Sequence, residues 1–213
     1  MTLDEYFDEI DDPLFAELGL LPREEATKWS EDLSGHPIVD TLQGFVLDDP
    51  DTSDHHLLLG KAPLDGCVFY LAHDGESRVV FNSLDSFLKA ARNAAEQGEE
   101  LRDLHPDGSP VARDQRALSA LMNDLLDGGT LTDVVTALIP SLDLLDLALL
   151  ERLARDEDFF LGEAVAVEVG RRPTQALAPI ARMCAAHPHV QVAQAGQRAL
   201  DRLQPPNNQA NRH

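Results

Sequence analysis

Apolar and polar positions change rhythm along this chain, and the changes divide it. From Thr2 to Leu21, Tyr6, Phe7, Ile10, Leu14, Phe15 and Leu18 fall at helical spacing, with Pro13 as an interruption and Gly19 as a stop. Pro22 then opens a second short helix containing Trp29, the chain's one tryptophan, which reads as a core residue. After the turn Ser34 to Pro37 the rhythm shortens. Ile38-Val39, Gly44 to Leu47, His56 to Leu59, Cys67 to Leu71 and Arg78 to Phe81 are strand-like blocks separated by turn residues. Asp74-Gly75 marks a hairpin. These spacings leave no room for helical crossovers, so the sheet is expected to be mainly antiparallel. Ser83 is the natural N-cap of a helix Leu84 to Glu96, whose Leu84, Phe87, Leu88 and Ala91 share one face.

Between Gly98 and Arg113 the chain turns polar and is broken by Pro106, Gly108 and Pro110, Leu101 and Leu104 aside. This predicts a domain at 1–98, a linker at 99–112 and a second, helical region at 113–204. That region echoes itself. Leu149, Leu153, Ala154 and Asp158 recur as Ile180, Cys184, Ala185 and His189, and Phe159, Leu161, Ala164 and Val169 as Val190, Val192, Ala195 and Leu200, each 31 residues later. Such a period implies stacked helix pairs that bury their apolar faces on one another. Gln115 to Leu126 and Leu131 to Ile139 would form an earlier, degenerate pair. Pro205-Pro206 ends the pattern, and 205–213 is expected to be a flexible tail. The fold class expected is α+β: a small, twisted, mainly antiparallel sheet with flanking helices, followed by an all-α repeat region.

Composition narrows function. The net charge of −21 over 213 residues repels phosphates and anionic lipid, so neither nucleic acid nor a membrane surface is an expected partner. A basic protein is. Cys67 and Cys184 stand far apart and suggest neither a disulfide framework nor a zinc site. No signal peptide follows Met1 and no run approaches a membrane span, so the expected compartment is the cytoplasm.

The run Gly66-Cys67-Val68-Phe69-Tyr70-Leu71, His73-Asp74-Gly75, Val79-Val80-Phe81 and Ser83-Leu84-Asp85-Ser86-Phe87-Leu88 resembles the end of the SUKH superfamily. There a strand pair precedes a helix opened by serine. Pro37-Ile38 and His56 to Gly60 sit where that family places its earlier strands, whereas its asparagine-glycine-glycine turn is missing here. The resemblance covers Pro37 to Ala91. It implies an α+β fold and, as in many bacterial members, an immunity protein that binds and blocks a cognate toxin, often a nuclease. It carries no catalytic residues. The second region is similar to HEAT-like repeats, whose usual implication is protein binding.

No Walker loop, GxGxxG, HExxH, GxSxG or paired CxxC occurs, so no catalytic residue and no cofactor is expected. His73 reads as a loop residue. His55-His56 and His187-Pro188-His189 lack the converging ligands a metal needs. Asp49-Pro50-Asp51 does not continue as a calcium loop. Two acidic clusters remain: Asp4, Glu5, Asp8, Glu9, Asp11 and Asp12, and the loop Asp48, Asp49, Asp51 and Asp54. The simplest reading is a solvated charged face. The functional reading is a patch that captures a basic toxin and occupies its substrate groove, with Asp48, Asp49, Asp51, Asp54, Asp74 and Glu76 as candidate contacts. The alternative is a non-enzymatic adaptor that binds a protein or peptide through the helical repeats.

Overall fold

The structure is a computed structural model that describes residues 1–49, 52–129 and 131–203. The expected tail 205–213 lies outside the described residues. The chain divides into two compact units, Met1–Ala120 and Leu121–His213.

The first unit opens with helix α1, Leu3–Ile10, locked by a capping box in which Thr2 accepts from the Glu5 N–H and Glu5 reaches back to the Thr2 N–H. Pro13 ends the helical run as expected, in a short 3-10 turn, Pro13–Phe15. Helix α2, Arg23–Asp32, follows Pro22. Pro37-Ile38-Val39, expected as strand, instead forms a helix, α3, Pro37–Leu42. Its physical reason is local: Pro37 at the first helical position has the right φ, and the His36 ring accepts the Ile38 N–H. These cues outweigh the β-propensity of Ile-Val.

Four strands then form one antiparallel sheet in chain order: β1 Gly44–Val46, β2 His55–Leu59, β3 Val68–Leu71 and β4 Arg78–Phe81. Side chains alternate across it. His55, Leu57, Leu59, Phe69 and Val79 take one face, where α2 brings Trp29 against the His55 ring at 5.3 Å. Trp29 is only half-buried. His56, Tyr70 and Phe81 take the other face, under Phe87 of helix α4, Leu84–Gln97. Edge strand β1 is blunted by Ser30, whose hydroxyl accepts the outward Val46 N–H at 2.8 Å. Helix α4 starts on the expected Ser83 cap.

The segment expected as a linker, 99–112, belongs to the first unit instead. Leu101, itself buried, starts a 3-10 turn, Leu101–Leu104, and Arg78 of β4 donates to the Pro106 carbonyl at 2.6 Å. The division between units falls later, inside helix α5, Gln115–Gly128.

Every described element of the second unit is helical. After α6, Thr132–Leu138, come α7 Leu147–Ala154, α8 Phe159–Arg171, α9 Ala178–Ala185 and α10 Val190–Leu203. Both ends of α7 and α9 and the starts of α8 and α10 are offset by 31 residues, so the sequence echo is a repeated helical hairpin. Small residues let these helices approach. A Cβ on Gly196 of α10 would stand 2.3 Å from the Ala185 backbone nitrogen at the end of α9, closer than any tolerable contact.

Replacing Gly196 by Ala should therefore destabilise the fold by about 3 kcal/mol, because backbone rather than a side-chain tip must move. Gly128→Ala, where a Cβ meets open space, should instead be neutral or slightly stabilising. Urea unfolding of both variants measures the contrast.

Candidate functional site

The acidic residues expected to act together lie in different environments. Asp74 and Glu76 are exposed on the loop between β3 and β4, where Ser77 bonds both the Ala72 N–H and carbonyl and Gly75 takes φ 134°. Asp54 is half-buried at the start of β2. It accepts the Tyr70 hydroxyl at 2.8 Å and the His73 N–H at 2.7 Å, pinning that loop to the sheet. Burial pushes its carboxyl up, but these two hydrogen bonds, with the nearby Arg102 and His73, outweigh it and hold the pKa below the usual value. The same pairing, after burial, raises the Tyr70 phenol to about 12. Asp49 is half-buried and donates its N–H to the Gly19 carbonyl at 2.8 Å. Asp51 lies outside the described residues.

Asp48 corrects the expectation outright. It is 1% exposed and is no part of a surface patch. One carboxylate oxygen accepts the His56 N–H at 2.6 Å, and the other lies 2.5 Å from His56 Nδ1. Its backbone carbonyl lies 3.0 Å from His55 Nδ1. A bridge to Leu20 ties the same residue to the N-terminal segment. Burying a carboxylate costs several kcal/mol unless donors surround it. His56 supplies both contacts to the carboxylate, its backbone N–H and its ring, while the His55 ring, from the other face of the sheet, engages the backbone carbonyl.

The line continues beyond His56. Its Nε2 lies 2.7 Å from Nε2 of His105, and one hydrogen is shared between them. His105 sits edge-on to Tyr70, with ring centroids 4.6 Å apart, and near Phe81. Burial, then the neighbouring His56 and Arg78, lower its pKa to about 3, so the ring is neutral at pH 7. Asp48, His56 and His105 thus form a hydrogen-bonded chain from the β1–β2 loop to the segment after α4. Buried Tyr6 borders this region: burial and the Asp48 charge push its phenol well above the ordinary range.

Sequence reasoning missed this chain. Its one visible signal was His105, a titratable residue one position after Leu104 and before Pro106, in a segment with buried Leu101. Both ring nitrogens of His56 are engaged and the side chain is almost fully buried, so it holds elements together. Among the described residues no three His, Cys, Asp or Glu side chains converge as metal ligands. No described helix is long and apolar enough to cross a membrane. Comparison with protein-family models, curated proteins and solved structures gives no match.

Two outcomes follow from the buried chain. Asp48→Ala strands a buried imidazole and should cost about 3–5 kcal/mol, whereas Asp74→Ala should leave stability unchanged. His105 has a folded pKa below its ordinary 6.5. Its contribution is therefore complete above pH 6.5 and is lost as pH falls toward 3, because the unfolded chain takes up the proton first. Between pH 7 and 5 the parent should lose about 1 kcal/mol more stability than His105→Gln, allowing for the ring's partial exposure. Denaturant titrations at several pH values check both.

Proposed function

We propose that this chain is a non-enzymatic, cytoplasmic, immunity-type protein that neutralises a cognate basic toxin by stoichiometric occlusion. The observation behind this is the disposition of charge in the first unit. Residues 1–120 hold 26 acidic residues against nine basic ones, and among those described Asp48 is the one buried carboxylate. The remainder stand at the surface or half-buried near it. Asp4, Asp8, Asp11, Asp12, Asp74 and Glu76 are all exposed. A field of that sign speeds encounter with a cationic protein and competes with phosphates for its groove. The resemblance of Pro37 to Ala91 to SUKH immunity proteins supports the same reading, and a nuclease is the toxin class whose groove suits it. The contact set differs from the one expected from sequence: Asp48 leaves it, and Asp74 and Glu76 stay.

The reading is tested by co-expressing the chain with the product of the adjacent gene. That product should arrest growth alone and be harmless with this chain present. Asp74→Lys with Glu76→Lys should slow association about tenfold at low salt, with the difference shrinking in high salt. A product that is harmless alone, or remains toxic in the presence of this chain, sinks the idea.

A second reading, an adaptor that binds a protein or peptide through the helical repeats, also has an observation behind it. Phe160 and Val190, at the starts of α8 and α10, are 51% and 60% exposed, beside Phe159 stacked on His189 at 3.7 Å. Large exposed apolar side chains grouped together mark interaction surfaces. Under this reading Phe160→Asp with Val190→Asp abolishes partner binding and the Lys reversals leave it intact.

A further inference from the structure

Charge is distributed unevenly along the chain. Residues 1–158 carry 35 acidic residues against 11 basic ones, whereas residues 159–203 carry five arginines against Glu163, Glu168 and Asp201. Three of those arginines line one recess. Helices α8 and α10 lie side by side and frame a recess of about 180 Å³ toward their C-terminal ends. Gly170, Ala195 and Ala199 form part of its lining, and Arg171, Arg198 and Arg202 surround them. A Cβ on Gly170 would stand 3.6 Å from the Ala199 Cα, so the two backbones run close there. Short side chains let the helices touch while long cationic ones rise around the contact.

The three arginines are held differently. Arg202 gives one N–H to the Gly170 carbonyl at 3.0 Å. Arg171 bonds one oxygen of Glu168 at 2.7 Å, but the other oxygen is taken by Arg172, also at 2.7 Å. Arg198 is exposed and makes no hydrogen bond or ion pair among the described residues. Favourable interaction with the helix dipole explains arginines in a last turn, as at Arg171 and Arg202. It does not explain Arg198, which lies before the last turn of α10.

We propose that this recess is an anion subsite for a phosphoryl dianion, with Arg198 as its recognition residue and Arg171 and Arg202 beside it. Guanidinium forks match tetrahedral oxyanions, and several of them suit a ligand with three acceptor oxygens and nearly two charges better than a single carboxylate. The ligand must also be compact. The recess holds only about six water-sized volumes, too little for an extended acidic peptide.

The test is isothermal titration of the full chain with inorganic phosphate, phosphoserine, glutamate and chloride at matched ionic strength. Direct binding is the right readout because phosphate stabilises proteins generally by exclusion from their surface. One of the two phosphoryl probes should bind with a Kd of about 1 mM or tighter, and Arg198→Gln should weaken it at least about fivefold. The variant's melting temperature without ligand should match the parent's, since Arg198 holds nothing in the fold. Tighter binding of phosphoserine identifies a phosphate monoester as the ligand, and tighter binding of inorganic phosphate identifies the free ion. The proposal is overturned if glutamate or chloride binds as well as either phosphoryl probe, or if Arg198→Gln binds like the parent.

Discussion

A single buried carboxylate organises the first unit. Asp48 follows β1, and everything that reaches it comes from a different part of the chain. The His56 N–H and ring come from β2, the His55 ring from the opposite sheet face, and the bridge to Leu20 from the N-terminal segment. His56 then passes the connection to His105, after α4. Such a charge is tolerated inside only while its donors are in place, so the constraint runs both ways. The sheet order positions the histidines, and the carboxylate fixes which loop lies under them. Apolar packing of Tyr6, Phe69 and Phe87 supplies the bulk of the burial but not this selectivity.

The second unit repeats the device with a different donor. Glu168, 4% exposed, lies within α8 and binds Arg171 and Arg172. Arg172 also donates to the Leu142 carbonyl at 2.5 Å, which fixes the segment leading into α7 against the end of α8. Guanidinium suits this role because it carries several donors in one plane and can serve a carboxylate and a carbonyl together. Imidazole suits the first unit because neighbouring strand side chains point to opposite faces, so the His56 ring reaches the Asp48 carboxylate while the His55 ring reaches its backbone carbonyl.

Elements governed by local chemistry were legible in the sequence. The four strands stand out because β-branched and aromatic residues are bounded by Gly, Pro and Asp. The helical hairpins of α7–α8 and α9–α10 stand out because their turns have equal length, so a constant offset survives. Pro37 to Val39 misleads because Ile and Val favour strands, whereas Pro37 and the His36 ring start a helix. Asp48 could not be separated from Asp49 and Asp51, since three acidic residues within four positions look alike in sequence until His56 is folded against the first of them. His105 was hidden for the complementary reason. Pro106, Gly108 and Pro110 advertise a linker, and only burial of Leu101 and the Arg78 contact show the segment packed down.

The distribution of the remaining charge bears on why the chain is so acidic. Helices tolerate acids at their starts and bases at their ends. In the second unit both halves of this polarity occur: Asp146 and Asp158 cap α7 and α8, and Arg152, Arg171, Arg182 and Arg202 stand in the last turns of α7 to α10. In the first unit only half of it is present. Asp4 and Glu5 begin α1, Glu24 and Glu25 begin α2, Asp40 lies in the first turn of α3 and Asp85 in that of α4, yet none of these helices has a base in its last turn. Helix polarity therefore accounts for where many of the acids sit but not for the missing bases. The uncompensated surplus of the first unit costs stability through self-repulsion, and a cationic partner laid over that surface would relieve it.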